Sequence, residues 1–260
     1  MYANYHTHTN RCMHATGVDE DYVKKAIAEG ISVLGFSDHS PVYFENGYES
    51  SFKMKPSELS EYTASVLSLK EKYKDKIEIH LGLETEYYPR YFAPSLKFWS
   101  EYPIEYLLLG QHFVGCETDP TPDPSTRPSP DKERVRRYVN IILDAIATGK
   151  ITYVAHPDLI NYTGDDIDFY LSEMERLIKG VMSVGMPLEY NLLGQADRRC
   201  YPRLEFWQLA ASLGAAAIIG CDAHEPHRVA AAEELREAYS RLDKLGIRLV
   251  DRIELINPFK

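Results

Sequence analysis

Histidine and carboxylate side chains recur in this sequence at the points where predicted strands end. His6 and His8 close the first predicted strand, and His39 follows the second. The later strand ends carry Glu84, His112, His156, Asp222 and His224. Neutral imidazoles and carboxylates are ligands for zinc, manganese or iron, whereas structural zinc sites more often use closely spaced thiolates. The pattern therefore predicts a catalytic metal centre.

Each short motif carries little weight by itself. Alternate residues of a strand face the same side, so His6-Thr7-His8 is also compatible with ordinary strand packing. Asp222-Ala223-His224 is equally weak alone, and His156-Pro157 is also compatible with a capped strand end. Five strand ends with histidine and two with a carboxylate are hard to explain by packing, so the joint placement favours metal binding. His80, inside a strand, and His227, at a helix start, are interpreted as ordinary polar positions.

Parallel βα units would bring these residues together. Short apolar runs alternate with longer amphipathic stretches from end to end of the chain, which is typical of an α/β fold with a parallel sheet. Strands are predicted at 2–6, 32–36, 76–83, 105–109, 151–155, 187–191 and 215–220, and helices at 19–30, 56–74, 131–149, 165–184, 203–213 and 228–245. In a βα barrel the carboxyl ends of the strands converge, so the candidate ligands would share one small volume.

Two segments do not fit the βα pattern. The apolar tail 247–256 is predicted to be an edge strand or a packing arm. Residues 117–131 contain five prolines, which exclude a helix or a central strand, so an exposed loop is expected that is either a lid or a surface excursion. No repeat or linker divides the chain, and a single domain over 1–260 is predicted.

Charge and hydropathy narrow the range of partners. The 260 residues contain 29 Lys and Arg against 39 Asp and Glu, a formal net charge of −10, with no basic run. Generic nucleic-acid binding is therefore not expected. The apolar stretches fall short of the roughly 20 residues of a membrane span, and 1–10 lack the features of a signal peptide. Neither a nucleic acid nor a membrane is a predicted partner, and the oligomeric state stays open.

The cysteines indicate a reducing compartment. They are scattered singly, as Cys12, Cys116, Cys200 and Cys221. Such spacing is typical of free thiols rather than of a disulfide framework, and it predicts a cytoplasmic protein. Cys12 and Cys221 lie beside candidate ligands, where packing or support of a ligand is favoured over direct metal binding.

Six stretches of the sequence resemble the polymerase and histidinol phosphatase (PHP) superfamily. They are His6-Thr7-His8 followed by His14, Ser37-Asp38-His39, Gly82-Leu83-Glu84, Gln111-His112, Ala155-His156-Pro157-Asp158 and Asp222-Ala223-His224. Residues 36–41, 70–74 and 81–89 further resemble the histidinol-phosphatase branch. The resemblance covers nearly the whole chain and implies a distorted seven-stranded βα barrel, (β/α)7, related to the TIM barrel.

The resemblance also implies three divalent metal ions and the ligands of each. The first ion would be held by His6, His8, Glu84 and Asp222. Glu84 would bridge to a second ion completed by His112 and His156, and the third would be held by His14, His39 and His224. His14 lies in a loop, so the strand-end pattern does not identify it and only the resemblance does.

Such a centre suits hydrolysis of a phosphate monoester. Three divalent ions against the two carboxylates Glu84 and Asp222 would leave a cationic pocket in an acidic protein. A water bridging ions ~3.5 to 4 Å apart would have its pKa lowered toward ~7 and could attack phosphorus in line. Asp222 and His39 are the candidates for delivering a proton to the leaving oxygen.

Phosphate recognition is expected to use arginine, whose planar fork binds phosphoryl oxygens bidentately. The candidates are Arg198 and Arg199, which follow Asn191, itself a candidate substrate contact, at the end of the sixth strand. The spacing departs here from the serine-glycine pattern of the family, so the choice between the two arginines stays open. Asn161 and Tyr162 stand where a second arginine is expected.

The leading hypothesis is a metal-dependent phosphatase acting on L-histidinol phosphate in histidine biosynthesis. An ammonium and imidazole on the substrate would need acidic or aromatic neighbours, and Tyr43, Glu45, Glu49 and Glu86 are available. A PHP phosphoesterase for another small phosphate, such as a nucleotide, is the alternative. A noncatalytic polymerase-associated PHP module is also considered, but the complete ligand set argues against it.

Overall fold

The structure, a computed structural model, describes residues 1–260. Eight strands, each parallel to its neighbours, form one curled sheet whose spatial order follows the chain. They are β1 (Ala3–Asn4), β2 (Val33–Phe36), β3 (Glu78–Thr85), β4 (Tyr106–Leu109), β5 (Tyr153–Val154), β6 (Leu188–Asn191), β7 (Ala216–Gly220) and β8 (Arg248–Leu249). This arrangement confirms the predicted α/β fold of parallel βα units.

Eight helices accompany the strands. They are α1 (Asp19–Ala28), α2 (Leu59–Tyr73), α3 (Pro89–Trp99), α4 (Lys132–Ala147), α5 (Ile167–Ser183), α6 (Leu192–Ala196), α7 (Leu204–Ser212) and α8 (Ala232–Leu245). The sequence pattern misses α3 and α6. Pro94 interrupts the pattern of α3, but Pro89 occupies its first turn, where the missing N–H is harmless. None of the helices is long and apolar enough to cross a membrane.

All seven predicted strands are present, and the apolar tail adds an eighth. Residues of the apolar tail pair with the beginning of β7, where Ala216 faces Arg248. Beyond the end of β7, Ala223 instead forms a parallel bridge with Thr7, next to β1. The sheet therefore closes between its first and seventh strands at the carboxyl rim, while β8 occupies the edge of β7 at the opposite end. The edge-strand interpretation of the tail is confirmed for β8.

The interior of the sheet is filled with side chains. A small apolar cluster consists of Ala3, Tyr5, Val33, Tyr106, Leu108, Tyr153 and Ile218. The Tyr106 hydroxyl donates to the backbone oxygen of Tyr5 at 2.8 Å, and a Cβ at Gly82 would collide with the Tyr106 ring. Val250, Ile253 and Leu255 of the tail pack against this cluster. A filled barrel leaves the carboxyl rim as the place for a site.

The proline-rich segment 117–131 contains no helix or regular strand, as predicted, but it is only partly exposed. Glu117 and Ser125 are buried. The Ser125 backbone N–H donates to the His112 oxygen at 2.7 Å, and the Ser125 hydroxyl donates to the Gln111 oxygen at 2.8 Å. The expectation of an exposed loop is therefore confirmed for most of the segment, while these bonds tie its buried part to the strand end that carries His112.

Candidate metal centre

All nine predicted metal ligands meet at the carboxyl rim, and Glu84 is the centre of the group. Both of its carboxylate oxygens face imidazole nitrogens. The nearest nitrogen lies at 3.1 Å in His39, 3.1 Å in His156, 3.5 Å in His6, 3.7 Å in His8 and 3.8 Å in His112. Because Glu84 ends β3 in the middle of the rim, it reaches histidines carried by neighbouring strands on both sides.

Asp222 is the second carboxylate of the cluster. Its Oδ1 lies 3.0 Å from His8 Nε2, 3.5 Å from His6 Nε2 and 3.4 Å from His224 Nδ1. The His14 ring lies 4.5 Å from that of His224, centroid to centroid. His14, which only the family resemblance identified, therefore lies with the other candidate ligands.

The residues of this cluster fit divalent metal ions. His6, His8 and Glu84 are almost fully buried. His39 Nδ1, His224 Nε2 and both oxygens of Glu84 have no hydrogen-bond partner in the protein. Leaving a buried carboxylate unsatisfied is costly. A set of imidazoles and carboxylates with free lone pairs is what zinc, manganese and iron bind.

The members of the cluster differ in protonation state. Burial lowers the pKa of His6 and His8, but the carboxylates around them raise it well above its usual range, so both would release a proton on binding a metal. Burial raises the pKa of Glu84, but the surrounding imidazoles, those of His112 and His6 foremost, lower it well below its usual range. Burial and the nearby His8 lower the pKa of His39 well below its usual range. The same two causes lower the pKa of His224 to about 3. The carboxylate is thus ionised, and His39 and His224 are neutral, as ligands must be.

Two ligands occupy an unusual backbone conformation. His156 has φ 31° and Asp222 has φ 49°, both in the left-handed region that side chains other than glycine rarely adopt. The backbone N–H of His156 donates to Glu189 Oε2 at 2.9 Å, which helps to hold this conformation. Strained residues of this kind concentrate at functional sites.

Three further carboxylates support the ligands from behind. Glu189 Oε1 lies 2.8 Å from His6 Nδ1, Asp38 Oδ1 lies 3.3 Å from His8 Nδ1, and Glu86 Oε1 lies 2.9 Å from His112 Nδ1. Such contacts orient the imidazole and fix which nitrogen faces the metal. The sequence pattern gave Asp38 and Glu189 no such role, although each stands beside or at a strand end. Glu86, considered above as a substrate contact, instead supports His112.

Gly110 packs directly against Glu84, so that no side chain fits at this position. A Cβ at Gly110 would collide with the Glu84 carboxylate and lie 2.9 Å from His112 Cε1. We expect Gly110→Ala to displace Glu84 and weaken zinc binding by about 10- to 100-fold, as loss of ligand orientation does elsewhere. Competition with a chelating dye measures this affinity. Gly180→Ala is the control, because its Cβ would meet the side chains of Leu143 and Ile146, which lie on α4 and are not part of the cluster. Equal affinity in both variants would contradict the prediction.

A cavity of about 450 Å³ opens over the cluster. Its lining includes five candidate ligands, His14, His39, His112, Asp222 and His224, together with the aromatic side chains of Phe52, Phe113 and Tyr201. Pro124 and Thr126 of the proline-rich segment also line it. The cavity therefore gives a small molecule direct access to the candidate metal ligands.

The structure distinguishes the two candidate arginines. Arg199 lines both this cavity and a neighbouring polar depression, whereas Arg198 lines only the depression, with Glu233 and Glu237. A second arginine of the cavity, Arg228, was missed because it follows the last ligand in a short 3-10 helical turn rather than a strand end.

One carboxylate holds both arginines of the cavity. Asp197 Oδ2 lies 3.1 Å from Arg199 Nη2, and Asp197 Oδ1 lies 3.1 Å from Arg228 Nη2. Asn191 differs from its predicted role, because its amide nitrogen donates to Glu189 at 3.0 Å and to Asp222 at 3.1 Å. Asn191 is buried and does not line the cavity, so it supports Asp222 from behind.

The sequence profile of the PHP domain matches residues 4–192. The chain belongs to the PHP domain family. Among curated proteins, this PHP protein is 26% identical over 250 residues to a probable histidinol-phosphatase of Deinococcus radiodurans, covering 91% of this chain and 93% of that protein. It is 27% identical over 273 residues to a probable histidinol-phosphatase of Schizosaccharomyces pombe, covering 96% and 88% of the two chains.

A solved structure has the same fold as this PHP protein. The histidinol phosphate phosphatase of Lactococcus lactis, crystallised with zinc, L-histidinol and phosphate, superposes with a TM-score of 0.73. The match covers 100% of this chain and 98% of that one at 20% sequence identity. The comparison confirms the predicted PHP fold.

Proposed function

We propose that this PHP protein is a metal-dependent phosphatase that hydrolyses L-histidinol phosphate to L-histidinol and phosphate. The observation that carries the proposal is that five of the nine candidate metal ligands and two arginines line one cavity. The two curated relatives, similar over about nine-tenths of the chain, support the choice of substrate. We propose further that 1–260 act as one domain, in the cytoplasm, in histidine biosynthesis; all four cysteines are free thiols.

We propose three divalent ions, zinc, manganese or iron, as cofactors. The ligands would be His6, His8, Glu84 and Asp222 for the first, Glu84, His112 and His156 for the second, and His14, His39 and His224 for the third. The ligand atoms of His6, His8 and Glu84 lie within 4.8 Å of one another, which supports the first site. His39 and His224 of the third site lie within the same distance of each other and of His8. When bound, the ions would polarise the phosphoryl oxygens and lower the pKa of a bound water.

The remaining residues of the cavity would bind and orient the substrate. Arg199 and Arg228 would donate to phosphoryl oxygens, because guanidinium groups match their geometry. Phe52 and Phe113, with ring centroids 5.9 Å apart, would pack against the organic part of the ester. Asp222 and His39 both line the cavity. Burial raises the pKa of Asp222, but the imidazoles around it, that of His6 foremost, lower it well below its usual range, and burial lowers that of His39. We therefore propose that they relay a proton from water to the leaving oxygen rather than supply one of their own.

Steady-state phosphate release tests this proposal. L-histidinol phosphate would be compared with a nucleoside monophosphate and a sugar phosphate, for protein loaded with zinc, manganese or iron. We expect turnover mainly of L-histidinol phosphate, and a fall of about 100-fold or more in His156→Ala, which lacks a metal ligand. His227→Ala is the matched control, because this side chain is 72% exposed and outside the cluster.

Other results of this assay would overturn either the substrate or the catalytic function. Faster turnover of another ester would keep the phosphatase chemistry and overturn the substrate. No turnover of any ester with any of the three metals would overturn the catalytic function, and copurification with a polymerase subunit would then favour a noncatalytic module.

A further inference from the structure

A buried lysine lies between two loops that border the cavity. Lys53 is only 2% exposed, and its Nζ lies 2.8 Å from Glu86 Oε2 and 2.8 Å from Glu117 Oε1. The same Nζ lies 3.8 Å from the centre of the Phe52 ring. Lysine is almost never fully buried unless it is paired, because removing its charge from water is costly. The buried ammonium group is therefore compensated by these two carboxylates.

The two carboxylates connect Lys53 to different parts of the site. Glu86 uses its other oxygen, Oε1, to contact Nδ1 of the candidate ligand His112 at 2.9 Å. Glu117 begins the proline-rich segment 117–131, which lines the cavity through Pro124 and Thr126. A single ammonium group thus connects a candidate metal ligand with a wall of the cavity.

We propose that Lys53 is a positioning residue with two effects. By holding Glu86 Oε2, it fixes the carboxylate that orients His112 toward the metal. By holding Glu117, it anchors the proline-rich segment against the cavity. The first effect rests on the proposed metal centre, whereas the second does not depend on a metal or a substrate.

The chain provides a matched control two residues away. Lys55 also pairs with a glutamate, with its Nζ 3.1 Å from Glu49 Oε2, but the two side chains are 44% and 68% exposed. An exposed ion pair of this kind contributes little, because water solvates both charges and salt screens them. Lys53→Met and Lys55→Met therefore remove the same charge, once from a buried network and once from the surface.

The first measurement is hydrogen exchange of the metal-free protein. The N–H of Val114, which donates to the Asp123 oxygen, and that of Ser125, which donates to the His112 oxygen, report on the anchored segment. We expect exchange at these amides to be at least about tenfold faster in Lys53→Met than in wild type, since local opening becomes easier. Lys55→Met should match wild type.

The second measurement is the rate at which the zinc-loaded protein releases metal to a chelator. We expect Lys53→Met to release the zinc ion bound by His112 about 10- to 100-fold faster. Loss of a residue that orients a metal ligand weakens metal binding by a similar factor in other proteins. Two further variants separate the effects. Glu86→Gln should accelerate zinc release, and Glu117→Gln should accelerate exchange of the segment while leaving zinc release within about twofold of wild type.

The four variants test the proposal even if one of them fails to fold. Folded Lys53→Met that matches Lys55→Met in both measurements would overturn the proposal. If Lys53→Met does not fold, normal exchange in Glu117→Gln together with normal zinc release in Glu86→Gln would overturn it. Failure of L-histidinol phosphate as substrate would leave both measurements unchanged, so the two proposals fail separately.

Discussion

Replacing Glu84 by glutamine is expected to lower kcat/KM by at least about a thousandfold, equivalent to about 4 kcal/mol of transition-state stabilisation. The carboxylate oxygens lie within 3.1 to 3.8 Å of nitrogens of five imidazoles, so Glu84 is shared by more candidate ligands than any other residue of the cluster. The amide of glutamine has no charge to offset that of divalent ions, and its NH2 group cannot bind a metal.

Phosphate release and bound metal per chain would be measured together for this variant. We expect both to fall, because the carboxylate belongs to two of the proposed metal sites. Glu78→Gln is the control, since Glu78 begins the same strand β3 but is 39% exposed and pairs with His80 and Arg252 away from the cluster. A Glu84→Gln protein that keeps its full metal content and more than about a tenth of its activity would refute the central role of Glu84.

Removing both arginines of the cavity is expected to have an effect of similar size. Arg199→Ala and Arg228→Ala should each lower kcat/KM by about 10- to 100-fold, and the double variant by about a thousandfold, because charge-assisted bidentate contacts to phosphate are strong. The losses of transition-state stabilisation in the two single variants should not add up to that of the double variant, because Asp197 pairs with both guanidinium groups.

The arginine prediction has a readout besides turnover. Inhibition by inorganic phosphate should weaken in parallel with kcat/KM, while the metal content should stay at the wild-type level because neither arginine is a ligand. Arg199→Lys should recover only part of the loss, since an ammonium group cannot bind two oxygens in the arginine geometry. Arg198→Ala distinguishes the neighbouring arginine: a larger loss there than in Arg199→Ala would reverse the assignment.

The positions of the candidate ligands could be predicted because a parallel sheet places its strand ends in the order of the sequence. Strands such as β3 are short apolar runs, and in parallel βα units their carboxyl ends must lie on one side. Any residue at such an end, as Glu84 is, can therefore be assigned to the rim without coordinates. His14 escaped this reasoning because its loop has no fixed position relative to the strand period, and only the family resemblance identified it.

The fold could be predicted less completely where a segment is short or its pattern is broken. β8 has two residues, too few to show an alternation of apolar and polar positions, and it forms only because the beginning of β7 offers an unpaired edge. α3 contains Pro94, which interrupts the helical pattern, and its burial of Tyr91 and Trp99 provides stabilisation that local propensity does not describe.

The sequence by itself determined the class of fold, since this follows from local periodicity, and it placed eight of the nine candidate metal ligands on one rim. The ninth candidate, His14, and the assignment of the candidates to individual ions came only from the family resemblance. Only the tertiary structure decided how the polar groups around these candidates are used. It assigned Glu86 to His112, Asn191 to Asp222, and Arg199 rather than Arg198 to the cavity. These contacts depend on the directions in which side chains from different strands and loops point. Because the residues are far apart in the chain, their contacts produce no regular spacing in the sequence.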